Sequence, residues 1–155
     1  MAVTIRRAVP ADAALLAEHR ARVWREAGGH EDDELVPQIP IWTAFFVRAI
    51  GEESYVAWIA EEHGHPVGSG ALLVHLAIPR PRIVSDREGR VQSVYVEPQA
   101  RRRGIARAIM AEITAYARSV PLIRLTLHPS EDGRPLYASL GFVPLDEMGM
   151  RLMGD

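Results

Sequence analysis

Cysteine is missing from this 155-residue chain, and so is lysine, because all 18 of its Lys+Arg residues are arginine. The first absence excludes disulfides, thiolate metal sites and a cysteine nucleophile. The second reads as compositional bias without functional weight. No stretch is apolar for long enough to cross a bilayer. The opening "MAVTIRRAVPADAALL" lacks the apolar run and small-residue cleavage site of a secretion signal. A soluble protein of the cytoplasm is therefore expected, with no membrane partner. A general attraction to nucleic acid is lacking too, since the formal net charge is −2. Any basic site must be local. What the chain does have is an ordinary globular balance, 48% hydrophobic and 25% charged. Its length then suits one domain over residues 1–155 with a real core, and falls short of two.

"VTIRRAV", Val3 to Val9, reads as a first strand. Pro10 and Asp12 suit the first turn of a helix, where proline loses no needed donor and aspartate meets the positive end. That helix should run to about Glu26, carrying Leu15, Leu16, Val23 and Trp24. Residues 28–37 read as a loop, and 39–50 as a second helix. "SYVAWIAEE" and "GSGALLVHLAI" form strands joined through the turn "HGHPVG". A long connection with two prolines precedes a fourth strand, "RVQSVYVEP", ended by Pro98. Ile105, Ile109, Ile113 and Tyr116 then recur at helical spacing to about Ser119. "PLIRLTLHP" is a fifth strand, "EDGRPLYASLG" a short helix stopped by Gly141, and "FVPLDEMGMRLM" two more short strands. The unit from Val91 to Leu127 is strand, crossover helix, strand, which makes the fourth and fifth strands parallel. The class is α/β or α+β with a mixed sheet.

The chemistry concentrates in "EPQARRRGIARAIM", Glu97 to Met110. Three arginines and a glycine stand directly before the periodic helix. The first four N–H groups of a helix have no internal partner and sit at the positive end of its dipole. A phosphate there gains hydrogen bonds and a favourable field. Gly104 lets backbone close around it, and Arg101, Arg102 and Arg103 raise the local potential. No GK[ST] follows a glycine-rich loop, and one glycine is too few for a dinucleotide fingerprint. Taken alone, the run reads equally as a phosphate cradle or as a solvated basic helix start.

A second block bears on that choice. "RPLYASLGFVP", Arg134 to Pro144, follows the next strand. Arg101-x-x-Gly104-x-Ala106 resembles the Q/R-x-x-G-x-G/A signature of the GNAT superfamily of acetyl-CoA-dependent N-acetyltransferases. "LYASLGF", Leu136 to Phe142, resembles that superfamily's LYxxLGF block, and "VYVEP" its V-x-V-x-P strand end. The specific matches cover about Val91 to Pro144 and stand in the family's order.

The resemblance implies a central, mixed, mostly antiparallel sheet of roughly six to seven strands with about four flanking helices, its parallel fourth and fifth strands splayed apart. It implies acetyl-CoA as co-substrate, no metal, and direct attack of an amine on the thioester. The pyrophosphate would lie on the amides of Arg102, Arg103, Gly104, Ile105 and Ala106. The pantetheine arm would pair with the fourth strand near Val94 and Val96 like an added strand. Tyr137 would be the acid for the leaving thiolate, its alternative role being a core tyrosine. The family often has an asparagine where this chain has Ser130, which leaves a weaker cofactor contact. The amine's proton has no evident acceptor, since Gln92 and Ser93 occupy the usual region and neither is a base; a water relay or an already neutral amine is expected. Glu97 reads as solvated. The acceptor is a small-molecule or peptide amine, with Trp24, Gln92 and Ser93 as candidate contacts, and homodimers are frequent in the family.

Other polar clusters carry less. His63 and His65 flank Gly64 in a turn, without a third metal ligand. His128 reads as a strand-end residue. "HEDDE", His30 to Glu34, reads as a surface loop that would favour a cationic amine if it walled the site. Two further readings stand beside the transferase: a non-catalytic acyl-CoA-binding regulator on the same fold, and a nucleic-acid module using the arginines. The acidic total charge argues against the last.

Overall fold

The run Tyr55-Val-Ala-Trp-Ile-Ala60 contains no charged residue, so a strand built from it must be covered on both faces. The computed structural model, which describes residues 2–154, shows that arrangement. Five strands form one sheet in chain order: β1 (Val3–Arg7), β2 (Tyr55–Glu62), β3 (His65–Leu76), β4 (Arg87–Val96) and β5 (Leu125–Thr126). Neighbours are antiparallel except β4 and β5, which are parallel. Five helices accompany them: α1 (Ala13–Ala27), α2 (Asp32–Leu35), α3 (Gln38–Gly51), α4 (Ile105–Ser119) and α5 (Arg134–Ser139).

Alternation along β2 divides the core in two. Tyr55, Ala57 and Ile59 meet Leu16 and Ala17 of α1 and Phe46 and Ala49 of α3. Val56, Trp58 and Ala60 meet Ile105, Ile109, Met110 and Ile113 of α4 on the opposite face. Helix α4 lies close to the sheet because β3 has Gly70 beneath it: a Cβ there would stand 2.6 Å from Ile109 Cγ2. Among the described residues no helix is long and apolar enough to cross a membrane.

Four expectations need correction. The sheet has five strands among the described residues, not six to seven, because residues 142–154 join no ladder. Their pattern suited short strands, but β5 spans two residues and presents little edge to extend. Val143, Met148, Met150, Leu152 and Met153 stay exposed. Among the described residues there are five α-helices rather than about four, because "HEDDE" is not a plain loop. Asp32, Asp33 and Glu34 occupy the first turn of α2, where negative charge suits the helix dipole, and the Glu34 carboxylate accepts the Glu31 N–H at 3.3 Å. Strand β5 is also far shorter than "PLIRLTLHP" suggests, and β4 begins earlier, at Arg87.

Candidate active site

The turn before α4 is built around left-handed backbone. Arg102 has φ 64° and Gly104, the residue capping α4, has φ 79°. The second value favours glycine, and a Cβ added at Gly104 would meet nothing within 4 Å. None of the amides of residues 102–106 donates to a backbone carbonyl among the described residues. These donors lie at the positive end of a 15-residue helix. The arginine side chains are arranged unequally. Arg101 donates from Nε to the Val96 carbonyl at 2.8 Å and from Nη2 to Glu26 at 2.6 Å. Arg103 grips Glu62 with two prongs at 2.5 and 3.2 Å, and this bond holds the Glu62 carboxyl below its usual range. Arg102 has no side-chain partner among the described residues, so its charge is available to an anion at the turn.

The turn follows a strand with a largely unpaired edge. Strand β4 pairs with β5 only at Gly89↔Leu125 and Arg90↔Thr126, and the rest of β4, from Val91 to Val96, has no strand partner on that edge. Backbone groups there can receive an added extended chain. The β3–β4 register shifts between Ser69 and Ala71, where Ser69 faces Tyr95 and Ala71 faces Gln92. Ser93 takes up the extra length with φ 51°, a costly conformation for a residue with a side chain. Tyr137 on α5 packs against the core that also carries Val94, Val96 and Leu127. Its ring meets Phe142 edge-on at 5.9 Å. Burial pushes the phenol up from its ordinary pKa, and its hydroxyl has no hydrogen-bond partner among the described residues. Ser130 Oγ accepts the Gly133 N–H at 3.0 Å, fixing the turn that leads into α5. Arg107 Nη2 donates to Ser139 Oγ at 2.8 Å and ties α5 to α4.

On the α1 side of the bulge stands a second cluster. Arg20 Nη1 donates to Ser93 Oγ at 3.0 Å and reaches Gln92 Oε1 at 3.5 Å. Consecutive strand residues point to opposite faces unless a bulge intervenes, and here one does. The Arg20 guanidinium lies 5.7 Å from the Trp24 ring centre and 5.2 Å from that of Trp42. Behind it, buried Tyr55 has its phenol pushed up by desolvation, with Ser93 and the Arg20 charge opposing. Nearby, buried His19 Nδ1 meets Ser69 Oγ at 2.7 Å, and its Nε2 lies 3.8 Å from Glu97 Oε1. Burial pushes His19 down to about 4, so the ring is neutral at pH 7. Glu97 is not simply solvated: Arg22 and the Tyr95 hydroxyl both donate to it. Two surface depressions, of about 430 Å³ beside Trp58 and Tyr116 and about 370 Å³ beside Arg25 and Glu97, share no residue with the turn at 102–106 and include neither Gln92 nor Ser93.

Residues 53–144 match the model of the GNAT acetyltransferase domain. This chain belongs to the GNAT acetyltransferase family. A crystal structure of a GCN5-related N-acetyltransferase from Ralstonia eutropha JMP134 shares its fold at a TM-score of 0.88 and 30% identity, over 99% of this chain and 100% of that one. A predicted acetyltransferase from Clostridium acetobutylicum, in a structure with acetyl-CoA, matches at a TM-score of 0.88 and 26% identity over 97% of each chain. A ribosomal-protein-alanine N-acetyltransferase from Brucella melitensis biovar Abortus 2308, at 22% identity, a TM-score of 0.70 and coverage of 99% and 100%, shares the fold. No curated protein matches this chain by sequence.

In this GNAT chain the structure brings the Arg102–Ala106 turn to the end of the open β4 edge that holds Val94 and Val96. Tyr137 is on the α4 face of the sheet, while Gln92 and Ser93 touch α1. Trp24 is 38% exposed and flanks Arg20. Arg20 and Tyr55 are the members that sequence reasoning did not assign; Trp42, like Trp24, reads from sequence as a pocket or core residue. The signal for Arg20 lay in α1's own periodicity: it falls four residues after Leu16 and four before Trp24, inside the buried stripe. Among the described residues no group of three or more His, Asp or Glu could hold a metal ion.

Proposed function

We propose that this chain transfers an acetyl group from acetyl-CoA to a primary amine of a small molecule or peptide, by direct attack within a ternary complex. The observation that carries this reading is the row of unpartnered amides at 102–106, at a helix N-terminus where Gly104 leaves a Cβ-sized space. A diphosphate fits those donors, with Arg102 as counter-charge. The free edge of β4 from Val96 to Val94 would hold the extended arm, and Ser130, whose oxygen already accepts from Gly133, has its hydroxyl hydrogen left to offer. Bound acetyl-CoA supplies the thioester carbonyl that the amine attacks and the thiol that departs.

Tyr137 stays protonated through neutral pH, because burial disfavours its phenolate. Full transfer from a phenol of pKa about 10 to a thiolate of about 8.5 is uphill by roughly 2 kcal/mol. Its role is therefore to donate a hydrogen bond to the sulfur as negative charge develops there. Gln92 and Ser93 cannot take the amine's proton, so the amine arrives neutral and the proton it sheds on acyl transfer passes through water to the departing thiolate. The deciding experiment is a thiol-release screen of amines and peptides with acetyl-CoA. Saturable release that depends on the amine supports the transferase. Tight acetyl-CoA binding with no release against any amine would establish the regulator instead.

A further inference from the structure

Arg20 presents an uncommon combination. It is half-buried against two tryptophans, yet among the described residues it has no carboxylate partner. Its neighbours Arg22 and Arg25 each have one, in Glu97 and Asp32. An arginine withdrawn from water without a counter-charge is unfavourable unless something else meets it. Its contacts are also one-sided. Nη1 serves Ser93 and Gln92, whereas Nε and Nη2 have no acceptor among the described residues. Those two groups form one edge of the planar fork, which matches the two oxygens of a carboxylate. A single guanidinium balances a monoanion, and a phosphate dianion would call for a second cation.

Position gives this edge a use, and the argument here rests on the acetyltransferase reading above. An arm that starts at the 102–106 turn and follows β4 backwards passes Val96 and then Val94. Three residues of strand, from Val96 to Ser93, span about 10 Å. The arm's reactive end then lies at the bulge, where Arg20 touches Ser93. We infer that Arg20 binds a carboxylate of the acceptor, and that the acceptor is a small amino acid-like molecule with amine and carboxylate a few bonds apart. The Nε–Nη2 edge holds the carboxylate, the indoles of Trp24 and Trp42 hold the guanidinium, and the amine is left facing the bulge.

The test compares common amino acids with their carboxamides, their decarboxylated amines and aminophosphonate analogues, in two assays. In thiol release with acetyl-CoA, kcat/KM for the preferred amino acid should exceed that of its carboxamide by about 10- to 100-fold. Arg20→Gln should bring that ratio close to one, chiefly through KM, and Arg20→Lys should retain part of it. Equal use of acid and carboxamide by the unaltered enzyme would overturn the inference, as would a phosphonate preferred over the carboxylate. The wild-type panel decides even if a variant fails to fold. In the second assay, tryptophan fluorescence is titrated with the same compounds without cofactor. A saturable change with carboxylates, lost in Arg20→Gln, supports the site; no change with any carboxylate counts against it. Saturable binding without thiol release from any amine would refute the transferase reading and leave the carboxylate site standing.

Discussion

Replacing Gly104 by valine separates folding from cofactor binding. The residue has φ 79°, and a side chain in that region costs about 1–2 kcal/mol, with a β-branched one at the upper end. A Cβ there meets no protein atom within 4 Å, so no clash adds to the strain. A domain of this length holds about 5–15 kcal/mol, and the variant should fold with Tm lowered by about 3 to 8 °C. Binding should suffer more. The added isopropyl group occupies the space over the amides of residues 102–106. Loss of two hydrogen bonds to a charged phosphate, at about 1.5–3 kcal/mol each, corresponds to a Kd raised by roughly 10²- to 10⁴-fold. Isothermal calorimetry with acetyl-CoA on the folded variant measures this directly. A Kd within threefold of the original, alongside the expected Tm loss, would show that the anion binds elsewhere and would refute the loop argument.

Tyr137→Phe should lower kcat by about 100-fold and leave the acetyl-CoA Kd within about twofold, since the hydroxyl has no hydrogen-bond partner among the described residues; an unchanged kcat from pH 6 to 9 would remove it from the reaction. Gly70→Ala forces a methyl to 2.6 Å from Ile109 Cγ2 and should destabilise the fold by about 1–3 kcal/mol, read as a lower urea midpoint; an unchanged midpoint would show that α4 shifts freely. His19, held at about 4 when folded against 6.5 when exposed, takes up a proton on unfolding between those pH values. Its contribution is complete above pH 6.5 and is lost as pH falls toward 4, by up to about 3 kcal/mol. Denaturation at pH 7 and pH 4.5 should show this loss to be smaller in His19→Gln than in the original chain, and equal losses would contradict the buried neutral ring.

What could be read from sequence followed the range of the interactions involved. Helix α4 was legible because Ile105, Ile109 and Ile113 share a face whatever surrounds them. The turn before α4 was legible for a similar reason: a glycine, a helix start and unpartnered amides fall within five consecutive residues. The tail was not. Alternation in residues 142–154 permits strands, but a strand forms only against an edge, and β5 supplies two residues of it. Helix α2 was obscured because four residues give too little periodicity, although the acidic first turn was visible. Arg20 was hidden for a different reason. An arginine in an apolar stripe reads as a long stem reaching for water. Its meaning depends on Ser93, 73 positions away, and on a bulge that no local pattern announces.

On the proposed function, that bulge would let one sheet serve two substrates. A regular β4 would turn Gln92 and Ser93 to opposite faces, and one of them would point toward α4. The positive φ of Ser93 sets both against Arg20 on the α1 face, while Val94 packs toward Ile109 and α4. The strand therefore changes its allegiance within two residues. Its free edge and the 102–106 turn suit an extended, anionic cofactor. The residues just before them, backed by α1, suit a separate molecule approaching from the other face. A strained serine costs stability and gives a fold nothing in return. It is accounted for if the place where the two molecules must meet is the place where the strand bends, and restoring regular pairing there should damage acceptor use before it damages cofactor binding.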